Sequence, residues 1–114
     1  MNKYTELSDF EINKKVAEKI HGIKGVSRTF EDVIIFKDSG VEKFAPCNNP
    51  ADAMPIIIDN KICTAFDVFA EEHDGGNWVA SPAYGFASER TRSNNLYRAA
   101  MELFLLMKDT ENEQ

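Results

Sequence analysis

The sequence predicts an α+β fold, an antiparallel sheet of about four strands packed with three helices. Three observations predict it. Helical periodicity recurs in three separated stretches, near residues 8–21, 48–59 and 96–107. β-Branched and aromatic residues concentrate between those stretches. Turn signals built from Gly, Asn, Asp and Ser divide the apolar runs into short strands. At 114 residues the chain supports one core and is too short for two, so residues 1–108 are expected to form a single domain, with a polar tail at 109–114. An apolar fraction of 43% and a complement of eight Phe, three Tyr and one Trp exclude disorder for most of the length.

The first helix starts at Ser8-Asp9-Phe10-Glu11, the spacing of a capping box. At about 100° per residue Phe10, Ile12, Val16, Ala17 and Ile20 share one side. Glu11, Lys14, Lys15, Glu18 and Lys19 share the other, and His21-Gly22 ends the helix. Residues 25–36 read as extended, with Val33-Ile34-Ile35-Phe36 the strongest strand signal. Lys37-Asp38-Ser39-Gly40 reads as a turn and residues 41–44 as a short returning strand. Asn48 or Asn49 then caps a second helix. Pro50 is tolerated in its first turn, and Asp52 lies near the positive end of the dipole. Pro55 kinks or shortens this helix, and Asp59-Asn60 closes it. Residues 61–69 and 78–84 flank Glu71-Glu72-His73-Asp74-Gly75-Gly76 and predict an antiparallel hairpin. Residues 85–95 are polar and weakly periodic, and are expected to form a mobile loop.

Asn94 or Asn95 caps the last helix, residues 96–107. Apolar residues cover most of its circumference and leave a narrow stripe of Arg98, Glu102 and Asp109. Such a helix is either wedged between elements of one chain or shared in a homodimer, and the sequence leaves the two as equal alternatives.

The net charge of −6, with basic residues scattered along the chain, argues against direct nucleic-acid binding. No apolar run reaches the length of about 20 residues that a membrane span needs. The N-terminus lacks the apolar stretch of a signal peptide, and two cysteines are too few for a disulfide framework, so a cytoplasmic protein is expected.

Candidate chemistry is sparse. Cys47 precedes a helix start, where a dipole lowers a thiol pKa; the alternative is a small buried residue at a strand-to-helix turn. Cys63, beside Ile62 in a strand, is expected to pack inside. His21 and His73 are solitary, and no Cys-x-x-Cys or His-x-x-x-His spacing exists. Gly75-Gly76 lies in a hairpin rather than at a phosphate-binding turn. No catalytic residue, metal or cofactor is therefore expected. The candidate ligand or partner site comprises Asn48, Asn49, Asp52, Trp78 and Arg98. The Asn pair adjoins the free N–H groups of a helix start, where capping alone is the alternative. Trp78 can stack on a planar ligand or anchor a core edge. Arg90, Arg92 and Arg98 can close on a phosphate or carboxylate; the alternative is a solvated loop with one Arg98–Glu102 pair along the helix.

Three blocks resemble the NinX-like family of small proteins of lambdoid bacteriophages. They are Leu7-Ser8-Asp9-Phe10-Glu11-Ile12-Asn13-Lys14-Lys15-Val16-Ala17, then Cys47-Asn48-Asn49-Pro50-Ala51-Asp52-Ala53-Met54-Pro55-Ile56-Ile57, then residues 95–107 beginning Asn95-Leu96-Tyr97-Arg98-Ala99-Ala100. Met54 stands where the family pattern has Trp, and Tyr97 where it has Pro. The resemblance implies an accessory protein of unestablished activity acting in an infected bacterium. The second block also resembles phage domains that form an α/β/α sandwich. From the resemblance and the acidic balance, a non-enzymatic protein that binds a host protein and modulates host physiology or defence is expected. The alternative is a protein that binds or sequesters a small, anionic, nucleotide-like ligand. A thiol enzyme using Cys47 ranks third.

Overall fold

The computed structural model describes residues 2–28, 32–83 and 89–112. Among the described residues three α-helices occur, α1 (Asp9–His21), α2 (Pro50–Asp59) and α3 (Leu96–Asn112). Six strands accompany them: β1 (Val26–Arg28), β2 (Val33–Lys37), β3 (Gly40–Lys43), β4 (Ile62–Phe66), β5 (Trp78–Pro82) and β6 (Thr91–Ser93).

The expected α+β class is observed, but the strands form two antiparallel three-stranded sheets, β1-β2-β3 and β4-β5-β6, rather than one sheet of about four. Each sheet is a meander of chain neighbours, and α2 falls between β3 and β4, so pairing stays local on either side of it. The helices α1 and α3 pack on each other; α1 covers the first sheet and α3 the second. Each sheet thus packs against one of these two helices, and α2 also contacts β4 of the second sheet.

Local chemistry explains the elements. The Ser8 Oγ accepts the Glu11 N–H at 3.1 Å and caps α1. Asn49 caps α2 by accepting the Ala51 N–H at 3.0 Å, and Pro50 occupies the first turn. Pro55 is carried inside a helix that stays ten residues long. Asn95 caps α3, its Oδ1 accepting the N–H groups of Tyr97 and Arg98 at 2.9 and 3.3 Å. In β2, buried Val33 and Ile35 alternate with the more accessible Ile34 and Phe36, the pattern of a strand covered on one face.

Two expectations are corrected here. Thr91–Ser93 is a strand paired with β5, although residues 85–95 read as a loop. Three polar residues are too short for a periodic signal, and the inward Thr91 is accommodated because its hydroxyl donates to the Ala99 carbonyl. Residues 85–88 of that stretch lie outside the described residues. The tail is the second correction, since α3 runs through Asp109 to Asn112. Lys3 Nζ lies 3.0 Å from the Asp109 carboxylate, and the Tyr4 hydroxyl donates to it. Burial of Asp109 opposes ionisation, but those two partners outweigh it and lower the carboxyl pKa.

The core is built around α3. Ala99, Ala100, Met101, Leu103, Phe104 and Leu105 are buried against α1, α2 and the second sheet. The mostly apolar helix is thus wedged within a single chain, and its burial requires no second copy. No helix among the described residues is long and apolar enough to cross a membrane.

The meeting of β5 with the β6–α3 link depends on Gly76. Its φ is +140°, and a Cβ there would lie 2.2 Å from the Ser93 carbonyl carbon. Backbone at that distance cannot yield as a flexible side chain would. Gly76→Ala is expected to lower the unfolding free energy by about 2 kcal/mol or more in urea titration. An unchanged midpoint would show that the link is not tightly packed.

Candidate functional site

Two places in the fold concentrate unusual chemistry: a buried polar junction and an exposed apolar edge. The junction centres on Arg98, only 8% exposed, in the first turns of α3. Its Nε donates to Glu102 Oε2 at 2.7 Å and its Nη1 to Asp9 Oδ1 at 2.7 Å. Its Nη2 donates to the carbonyls of Tyr4 at 3.0 Å and Leu7 at 2.8 Å. Glu102, 3% exposed, also accepts from the Asn2 amide at 3.0 Å. Burial alone would favour a neutral guanidine, but the Asp9 and Glu102 carboxylates overcome it and raise the Arg98 pKa. Its donors are spent within the chain, which leaves little for a ligand.

The junction extends to the loop before α2. The buried amide of Asn13 accepts the Cys47 N–H at 2.8 Å, and the Asn95 amide donates to the Cys47 carbonyl at 2.9 Å. One backbone unit is thereby clamped between α1 and the cap of α3. Asn48 donates to Asp9 Oδ2 at 3.1 Å, so Asp9 bridges Asn48 and Arg98. Asp52 accepts the Ala45 N–H at 3.0 Å and the Asn49 amide at 3.3 Å. Asn48, Asn49, Asp52 and Arg98 therefore share one neighbourhood.

Trp78 lies elsewhere, at the start of β5, with its ring edge-on to Phe66 at a centroid distance of 5.0 Å. Arg92 is held by Asp67 at 3.0 Å. Arg90 lines an open groove of about 230 Å³ with Asn2, Thr5 and Asp74. A second open groove, of about 310 Å³, lies between Phe10, Asn13, Lys43, Phe44 and Asn48.

Sequence reading missed Asp9, Asn13, Asn95 and Glu102 as members of the junction. Asn13 was detectable as an amide on the apolar side of α1, and Arg98 with Glu102 as charges on an otherwise apolar helix. A helical pair four residues apart reads first as a surface pair, because that is the usual setting of such pairs.

The exposed edge is formed by β4 and the turn after it. Phe66 is 53% exposed, Val68 67% and Phe69 89%. The turn is ordered: Asp67 Oδ1 accepts the Phe69 N–H at 3.0 Å, and the Asp67 N–H donates to the Asn77 carbonyl at 2.7 Å. Glu71 and Asp74 close a 3-10 turn through mutual side-chain and backbone bonds. This bonding holds the apolar side chains outward, and neither sequence periodicity nor composition pointed to them.

The cysteines divide cleanly. Cys47 is buried, whereas Cys63, expected inside, is exposed in β4, where only Ile62 is buried. Burial first, then the Asp9 and Glu102 carboxylates, push the Cys47 thiol up from 9.0 to about 12. The folded chain thus favours the protonated thiol. This contribution to stability is complete below pH 9.0 and is lost as the pH rises towards about 12. At neutral pH an alkylating reagent is expected to modify Cys63 in the native chain and Cys47 only after denaturation, as peptide mass mapping would read. Rapid native modification of Cys47 would contradict its burial and restore the thiol-enzyme reading.

The three blocks picked out in the sequence meet at the junction: α1 supplies Asp9 and Asn13, the loop supplies Cys47 and Asn48, and α3 supplies Asn95 and Arg98. No curated protein and no solved structure matches the chain significantly. The family model described as "Bacteriophage P22, NinX" matches residues 3–108, so the chain belongs to the NinX family of bacteriophage proteins.

Proposed function

We propose that this phage protein is a non-enzymatic accessory factor that acts by binding a host protein. The observation that carries this reading is the ordered, outward display of Phe66, Val68 and Phe69 beside Trp78. Leaving such side chains in water forgoes about 1.5–3 kcal/mol each relative to burial. A cluster of exposed apolar side chains close in sequence and held out by a bonded turn suits a protein contact. Aromatic anchors of this kind dominate binding energy once a partner covers them.

The second reading, a small anionic ligand at the Asn48-Asn49 helix start, is supported by the groove beside Lys43 and Asn48. It is the weaker one on electrostatic grounds. The Asp52 carboxylate already sits in the first turn of α2, so an incoming anion meets a like charge there.

The test is native mass spectrometry of the tagged chain and its Phe69→Ser variant, both recovered from infected bacteria. Phe69 is almost fully exposed, so the variant should keep its stability within about 0.5 kcal/mol. The wild type is expected to carry a stoichiometric host subunit and the variant to lose it. A wild-type mass matching the bare chain, or the chain plus a small molecule, would overturn the proposal.

A further inference from the structure

We propose that the open edge of β4 takes up an extended, basic segment of the partner protein as an additional strand. This rests on the protein-binding reading above and specifies how the contact is made. In the order β4-β5-β6, β4 has no strand on its far side among the described residues. Its register with β5 runs from Ile62↔Pro82 to Phe66↔Trp78. The Asp67 N–H donates to the Asn77 carbonyl, which makes that pair a hydrogen-bonded one. Hydrogen-bonded and non-bonded pairs alternate along an antiparallel ladder. The Ile62↔Pro82 pair is accordingly non-bonded, in keeping with a proline that has no N–H to give. It follows that the N–H and C=O groups of Thr64 and Phe66 point away from β5, towards the open edge.

Strand edges are ordinarily blunted by charge, proline or a bulge. The edge strands β3 and β6 carry Glu42 with Lys43 and Arg92. β4 reads Ile62-Cys63-Thr64-Ala65-Phe66, with no charged residue and no proline, and Cys63 to Phe66 are all exposed. Its unprotected groups lead directly into the protruding Val68 and Phe69, which would anchor apolar side chains of an added strand.

Charge identifies the occupant. The turn beyond β4 bears exposed Glu71 and Glu72 beside Asp67 and Asp74, and Asp67 holds the one Arg of β6. A second copy of this chain would bring the same acidic turn and the same net charge of −6. A segment alternating basic and apolar residues supplies the opposite sign, with its apolar side chains on the face that carries Phe66.

The test titrates the isotopically labelled full chain with a short peptide of alternating Lys and Val, read by amide chemical shifts. The comparisons are its Glu–Val counterpart and a Lys–Val peptide N-methylated on alternate residues. Shifts are expected at Thr64 and Phe66, with affinity lower by about tenfold or more for both comparison peptides. Thr64→Pro removes an N–H that faces the open edge while leaving the β4–β5 ladder intact, and should weaken binding by a similar factor. Equal binding of the Lys and Glu peptides, an unaffected Thr64→Pro variant, or no shift at β4 with millimolar peptide would each overturn the proposal. So would concentration-dependent β4 shifts without peptide, which would make a second copy the occupant. If Phe69→Ser loses the host protein in infected cells while Thr64→Pro retains it, protein binding stands and strand addition fails. If neither variant loses it, both fail.

Discussion

The fold depends on one buried cation. Arg98 enters the interior on α3 and would be prohibitively unstable there without partners, because a lone charge in a low-dielectric core costs several kcal/mol. Its partners are consequently specified in space: Asp9 on α1, Glu102 one helical turn on, and two carbonyls of the segment leading into α1. That requirement fixes how the N-terminal segment wraps α3 and how α1 lies across it. The Cys47 clamp then ties the loop before α2 to the same place through Asn13 and Asn95. Among the described residues, no buried side-chain nitrogen or oxygen is left without a hydrogen-bond partner. A fully paired network of this kind selects one arrangement of the helices over others of similar apolar burial.

Local features of this fold were legible in the sequence, and long-range ones were not. Ser8, Asn49 and Asn95 act through bonds to groups two or three residues away, so their roles follow from local spacing. The meander strands β2, β3, β4 and β5 were visible for the same reason. The division into two sheets was not, because strand periodicity reports which face is buried and says nothing about which strands share a sheet. β6 escaped notice because Thr91 is a polar residue on an inward face, made compatible by a single bond to Ala99. The sequence around Asp109 reads as tail because its partners, Lys3 and Tyr4, lie at the other end of the chain.

The candidate site divides along the same line. Four of the five residues singled out, Asn48, Asn49, Asp52 and Arg98, belong to the junction, where each is hydrogen-bonded within the chain, Arg98 buried and the two Asn exposed. The fifth, Trp78, borders the apolar edge. The blocks that carry the family resemblance cover residues 7–17, 47–57 and 95–107, whereas Phe66, Val68, Phe69 and Trp78 fall outside all three. The proposed docking surface rests on its own chemistry: backbone groups facing an open strand edge, ordered exposure and an acidic rim.

The dependence on Arg98 is tested most directly by the unfolding free energies of Arg98→Met, Glu102→Met and the double variant. If the guanidinium organises the junction, each single change leaves a buried charge without its main partner and costs about 3–5 kcal/mol. The double variant should then lose less than the two together, by about 1 kcal/mol or more. Single variants within about 0.5 kcal/mol of the wild type would contradict it, placing the origin of the fold in apolar packing alone.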